Sequence, residues 1–156
     1  MLEVGSKAPE FVLADDEGGE TSLTDLLKDG PLILYFYPAD FTPGCTKEAC
    51  SIRDIHDDIQ SVGLRVAGVS PQDVDSHQKF RDEYELPFTL LSDPDKVAIK
   101  MYDVDGPFGV GVRRATFLIS QDRVIKDAVT ADVRIGRHQE FIEKAIVLRE
   151  TAGKAR

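Results

Sequence analysis

The sequence predicts an α/β fold in which a mixed central β-sheet is flanked by helices. Three observations carry that reading. Stretches of strand and helix character alternate along most of the chain. One of them, "LILYFY" (residues 32–37), is a continuous apolar run, as in strands buried on both faces. Two consecutive strand-like stretches near the carboxyl end, "RATFLIS" and "RVIKDAVTA", call for an antiparallel part of the sheet.

Taken in order, "EFVLAD" and the turn "DEGGE" open the chain as a hairpin-like start. "TSLTDLLKDG" reads as a short helix with Ser or Thr at its cap and Gly30 at its end. After the buried strand "LILYFY", the stretch "CTKEACSIRDIHDDIQSVG" places Ala49, Ile52, Ile55, Ile59 and Val62 at helical spacing, stopped by Gly63. "LRVAGVS" is a second buried strand, and "DVDSHQKFRDEYE" a helix with Phe80 and Tyr84 four apart. "PFTLLSD" is a short strand, followed by a helix opened by proline after Asp93. The glycine-rich loop "DGPFGVG" precedes the two final strands, which meet at "QD". An amphipathic helix, "RHQEFIEKAIVLRE", then leads into residues 151–156, expected to form a frayed tail. Residues 1–156 read as a single domain, and 42% hydrophobic composition suffices for its core.

A formal net charge of −9 argues against nucleic acid and anionic lipid as partners. The first residues lack the basic stretch and apolar run of a signal peptide, and "PLILYFYPA" is too short to span a bilayer. A cytoplasmic location is the resulting expectation. There a permanent disulfide is disfavoured and a catalytic one favoured.

The chain has two cysteines, Cys45 and Cys50, both within "PADFTPGCTKEAC". A structural disulfide, a metal site and a redox reaction would each use such a pair. Five residues along a helix separate Cα atoms by about 8–9 Å, beyond the roughly 4.4–6.8 Å that a disulfide spans. Pairing would require the first helical turns to unwind. Zinc sites favour closer cysteines with further ligands nearby, whereas His56, His77 and His138 are scattered, so no metal is expected. His56 reads as a solvated helix residue. Cys45 begins a helix, where unpaired amides and the helix dipole favour an anion and so enrich thiolate. Thr42 can cap that helix, or donate to the sulfur or to a bound oxygen atom; Pro43 suits its first turn, and Pro38 ends the strand and can shield a pocket. Arg113 and Arg114 supply candidate cations, of which alternation lets only one face the thiol. Glu48 could orient Arg114 or a neighbour, or serve as a solvated or i, i+4 ion-pair partner, and Tyr37 and Phe41 could wall the pocket or pack in the core.

These residues resemble the peroxiredoxin family. "PADFTPGC" is similar to its pattern of proline, threonine and cysteine, here Pro38, Thr42 and Cys45. "FYPADFTPGCTKEACSIRD" resembles the bacterioferritin-comigratory-protein, or Q-type, subfamily, whose resolving cysteine lies where Cys50 stands. "RATFLIS" resembles the segment carrying the active-site arginine, here Arg114. Two departures stand out: Ser120 replaces a common acidic residue, and the loop "DVDGPFGVGV" looks short.

The resemblance covers nearly the whole chain and implies a thioredoxin-like fold. It implies a monomeric or weakly dimeric thiol peroxidase acting on hydrogen peroxide and organic hydroperoxides, with no cofactors of any kind needed. Cys45 would become a sulfenic acid and then a disulfide with Cys50, recycled by thioredoxin or a similar dithiol protein. Arg114, Thr42 and the Cys45 amide would hold the peroxide in a pocket that includes Pro38. A thiol–disulfide oxidoreductase is the alternative, although its usual Cys-x-x-Cys is absent. A binding module with both cysteines packed is the third reading.

Overall fold

Strand β3 (Leu32–Phe36) is buried along its whole length and forms the middle of the molecule. Its residues alternate between two cores, as strand geometry dictates. Leu32, Leu34 and Phe36 enter one; Ile33 and Tyr35 enter the other. A computed structural model describes residues 1–132 and 134–154. Its sheet has seven strands in the order β2-β1-β5-β4-β3-β6-β7. These are β1 (Val12–Asp15), β2 (Glu20–Ser22), β4 (Arg65–Ser70), β5 (Thr89–Ser92), β6 (Ala115–Ile119) and β7 (Ile125–Thr130), besides β3. The pairings β3–β4 and β4–β5 are parallel; the rest are antiparallel. The sheet is thus mixed, as the sequence predicts.

Helices α1 (Leu23–Leu26) and α5 (Val97–Met101) bring Leu23, Leu26, Ala98 and Ile99 to the first core. Helices α2 (Pro43–Asp54), α3 (His56–Ser61), α4 (Val74–Tyr84) and α6 (Gly136–Lys154) cover the other face. Parallel β3 and β4 need a crossover, and α2 and α3 supply it. The amino end of α2 therefore lies beyond the carboxyl end of β3, where sites of layered α/β sheets are built.

Several boundaries differ from expectation. The helix expected over 45–63 begins two residues earlier and is broken at Ile55, where the amide bonds back three residues to Ile52 rather than four. His56, expected in solvent, is buried, its ring 6.3 Å from that of Phe88. Helix α5 starts at Val97 rather than at Pro94. Lys96 turns left-handed there, and the Asp93 carboxylate reaches forward to accept from the amides of Val97 and Ile99. Gly30 does not end α1. A Cβ at that position would lie 2.2 Å from the carbonyl oxygen of Gly63, so it is a point of close backbone approach. Residues 151–154 continue α6 instead of fraying, with the Thr151 hydroxyl donating back to the Val147 carbonyl. Residues 155 and 156, the rest of the expected tail, lie outside the described residues. Among the described residues no helix is long and apolar enough to cross a membrane.

Candidate active site

Beyond β3 the chain must turn sharply to start α2, and buried polar contacts fix that turn. Tyr37 donates its hydroxyl to Oδ1 of Asp40 at 2.7 Å. Oδ2 of Asp40 accepts from the Ser76 hydroxyl at 2.7 Å and lies 2.7 Å from Nδ1 of His77. The His77 Nε2 donates to the Leu91 carbonyl at 3.0 Å. The loop is thereby tied to α4 and β5. Phe41, left-handed at φ 63°, packs on Phe80 and Tyr84 while remaining half exposed.

Thr42 occupies the cap position of α2, but its side chain makes no capping bond. Its hydroxyl donates to the Ala39 carbonyl at 3.0 Å instead. In this structure the hydroxyl therefore neither caps the helix nor donates to the sulfur. The reason is local: the loop folds the Ala39 carbonyl back over the hydroxyl. Pro43 starts the helix without needing an amide partner. Cys45 follows in the first turn, 2% exposed, where backbone amides have no intrahelical acceptor. The next helical turn holds Glu48, and Cys50 lies beyond it, partly exposed. Both cysteines are free thiols and α2 is continuous between them.

Arg114 comes from the entrance of β6, where its amide donates to Asp132 Oδ1 at 2.8 Å. One nitrogen, Nη1, donates to Cys45 Sγ at 3.3 Å and to Glu48 Oε1 at 3.0 Å. Arg113 points the other way, about half exposed, with Nε 3.8 Å from Asp132 Oδ2. Strand alternation thus separates the two arginines as the sequence leads one to expect. Gly44 leaves room for this approach. A Cβ there would meet Ile135 Cδ1 at 2.9 Å and Arg114 Nη2 at 3.2 Å.

Glu48 is 1% exposed, not solvated. Burial pushes its carboxyl up to about 7, against the pull of the Arg114 guanidinium. Burial also works against the charge on Arg114, but Glu48 and then Cys45 offset it and hold the guanidinium above its ordinary value. Behind Glu48 stands His138 of α6, also 1% exposed, with Nδ1 3.5 Å from Glu48 Oε2 and 2.7 Å from the Thr116 hydroxyl. Tyr37 stacks on Tyr35 at 5.4 Å and belongs to the core.

A cavity of about 620 Å³ opens onto Arg114, with Pro38, Pro107, Val110 and Val112 among its walls. Its rim is the short loop before β6. There Lys96 Nζ gathers Asp105 Oδ1 at 2.9 Å and the carbonyls of Gly109 and Gly111 at 3.1 and 2.8 Å. Phe108 and Val110 stand exposed on that rim. Among the described residues no cluster of three or more His, Cys, Asp or Glu could hold a metal ion.

Of the residues singled out from sequence, Pro38, Cys45, Glu48 and Arg114 converge here, while Cys50 waits further along α2. Sequence reasoning passed over Asp40, His77, Thr116 and His138. Thr116 was within reach, since it shares a strand face with Arg114. The others meet only through tertiary contact.

The AhpC/TSA family model matches residues 4–128. A Coxiella burnetii protein named as a peroxiredoxin bcp is 48% identical over 143 residues, covering 88% of this chain and 93% of that one. The peroxiredoxin Bcp of Bacillus subtilis is 41% identical over 133 residues, covering 81% of this chain and 84% of that one. The crystal structure of the peroxidoxin BcpB of Mycobacterium tuberculosis superposes with a TM-score of 0.89 at 32% identity, over 95% of this chain and 98% of that one.

Proposed function

The chain belongs to the AhpC/TSA family, and on that premise we propose that it is a thiol peroxidase in which Cys45 attacks the hydroperoxide and Cys50 resolves the product. The observation that carries the assignment of Cys45 is the single Arg114 nitrogen shared between Sγ and Glu48. It puts a fixed positive charge against one thiol at the start of a helix, beside a cavity.

The Cys45 thiolate attacks one oxygen of the hydroperoxide; an S–O bond forms and the O–O bond breaks. The departing oxygen leaves as an alcohol, or as water when the substrate is hydrogen peroxide, after taking up a proton. Arg114 and the Cys45 amide stabilise the charge that develops on it. Thr42 can join them only by giving up its bond to Ala39. Cys45 is then a sulfenic acid. The thiolate of Cys50 attacks that sulfur, an S–S bond forms, the S–O bond breaks and water leaves. The intact helix holds the two Cα atoms about 8–9 Å apart, so this step requires the first turns of α2 to open. A dithiol protein of the thioredoxin type then reduces the disulfide by exchange. Pro38 closes the pocket on the strand side, no cofactor enters any step, and the chain acts as a monomer.

Mass spectrometry tests the scheme. One equivalent of hydroperoxide is expected to lower the mass of the reduced monomer by two hydrogens. Cys45→Ser abolishes turnover, and Cys50→Ser permits one oxidation and then stalls. Undiminished peroxide consumption by Cys45→Ser would overturn the assignment.

A further inference from the structure

Glu48 Oε2 and Arg114 Nε are both buried without a hydrogen-bond partner, although their neighbouring atoms are well paired. What faces Glu48 Oε2 is Nδ1 of His138, at 3.5 Å. The other ring nitrogen, Nε2, lies 3.0 Å from the Ala131 carbonyl. A carbonyl only accepts, so Nε2 carries a hydrogen, and Nδ1 is the nitrogen free to gain or lose one. In the neutral ring the Nδ1 lone pair accepts from the Thr116 hydroxyl at 2.7 Å. That same lone pair looks toward a carboxylate oxygen. Two buried acceptors facing each other are unfavourable, and a single proton between them removes the conflict.

We propose that Glu48 and His138 share one proton, and that this buried pair governs how much of the Arg114 charge is available to Cys45 and to the hydroperoxide. His138 is a positioning residue in this scheme: it touches neither sulfur nor substrate and acts through Glu48. With the proton in place the pair is neutral, and Arg114 is an uncompensated cation against Sγ. Once the proton leaves, the Glu48 carboxylate claims the guanidinium. A thiolate then becomes a second negative charge in the same buried space, and the departing oxygen meets a weaker cation.

The surrounding groups favour the proton on the carboxyl rather than on the ring. From α2 the pair is faced by Cys45; from β6 by Arg114, with the Thr116 hydroxyl beside it. From β3 comes Tyr35, whose phenol is held well above its ordinary range by burial and then by Glu48. Burial is the largest influence on His138 and, with the nearby Arg114, keeps it below its usual value, against the Ala131 carbonyl and then Asp132 on the segment entering α6, which favour a charged ring. The acid form of Glu48 turns the unpaired Oε2 into a donor facing Nδ1, and the Thr116 hydroxyl turns aside to yield it the lone pair. The Glu48 carboxyl titrates near neutral pH.

The inference rests on Cys45 being the reactive thiol, and it is tested by a signal that does not depend on turnover. Infrared spectra of the unreacted, reduced protein are expected to contain a carboxylic-acid carbonyl band. That band disappears as pH rises through about 7 and is absent from Glu48→Gln. His138→Gln keeps an amide donor for Ala131 but removes Nδ1. It is expected to move the midpoint about one unit toward acid, a tenfold loss of proton affinity. Thr116→Val frees Nδ1 from its competing donor and moves the midpoint the other way. The rate constant for peroxide reduction carries a falling limb at the same midpoint. The limb shifts with each variant and is lost in Glu48→Gln. A band that persists in Glu48→Gln, no band at all, or one midpoint common to parent, His138→Gln and Thr116→Val overturns the proposal. Loss of turnover in Cys45→Ser tests the reaction scheme separately.

Discussion

Asp40 and Glu48 are both buried carboxylates, eight residues apart, and each faces a buried histidine. Around Asp40 every polar atom is used. Two hydroxyls and one ring nitrogen converge on the carboxylate, and the far side of His77 is spent on a backbone carbonyl. Around Glu48 one oxygen and one arginine nitrogen are left over. The first arrangement leaves no buried polar atom unpaired, and it holds the loop. The second leaves two unpaired, and it stands next to the sulfur. The contrast separates a scaffold from reactive machinery by hydrogen-bond saturation rather than by residue type.

Asp40→Ala should break the scaffold most severely. It leaves His77, Tyr37 and Ser76 without their acceptor, at a cost of about 3–5 kcal/mol, read as a lowered urea midpoint. Arg114→Ala should spare stability by comparison and strike the reaction. Loss of one donor at a developing oxyanion costs on the order of 10²–10³ in rate, measurable as kcat/KM for peroxide. If Asp40→Ala folds normally but loses rate, or Arg114→Ala keeps its rate, the division between the two regions fails.

Glu48→Gln sharpens the comparison through pH. The Glu48 carboxyl is raised from 4.5 to about 7 in the folded chain. The folded state therefore keeps a proton that the unfolded state releases. That contribution is fully present below pH 4.5 and is lost as pH rises through about 7. It amounts to about 3 kcal/mol. Urea midpoints of the parent should decline across this window, and those of Glu48→Gln should stay flatter. Tyr37→Phe is the mildest test. It removes one of three donors to Asp40 and is expected to cost about 1–2 kcal/mol of stability, with kcat/KM little changed.

Much of this was legible in the sequence because it is local. The apolar run of β3 announced the central strand, its end before the helix of Cys45 announced the junction, and the alternation of Arg113 and Arg114 allowed one of them to reach the thiol. The bond Thr42 makes was not legible, since its nearest acceptor is set by how the loop folds back on Ala39. His138 and Glu48 lie ninety residues apart and meet only when α6 docks on α2. Nothing in the segment "RIGRHQEF" distinguishes a histidine bound for the interior from one bound for solvent. His56 shows the same limit, for its burial depends on a helix break at Ile55 that no glycine or proline marks.

The loop that frames the pocket is organised by one amine. Lys96 draws three oxygens onto a single ammonium, as a small bound cation would, and so needs neither an ion nor a sulfur to keep its form. Such a fastening is indifferent to chelators and to oxidants. Acylation is its weakness: an acyl group on Nζ removes the charge and most of the donors, and would unbutton the rim while leaving both thiols chemically untouched.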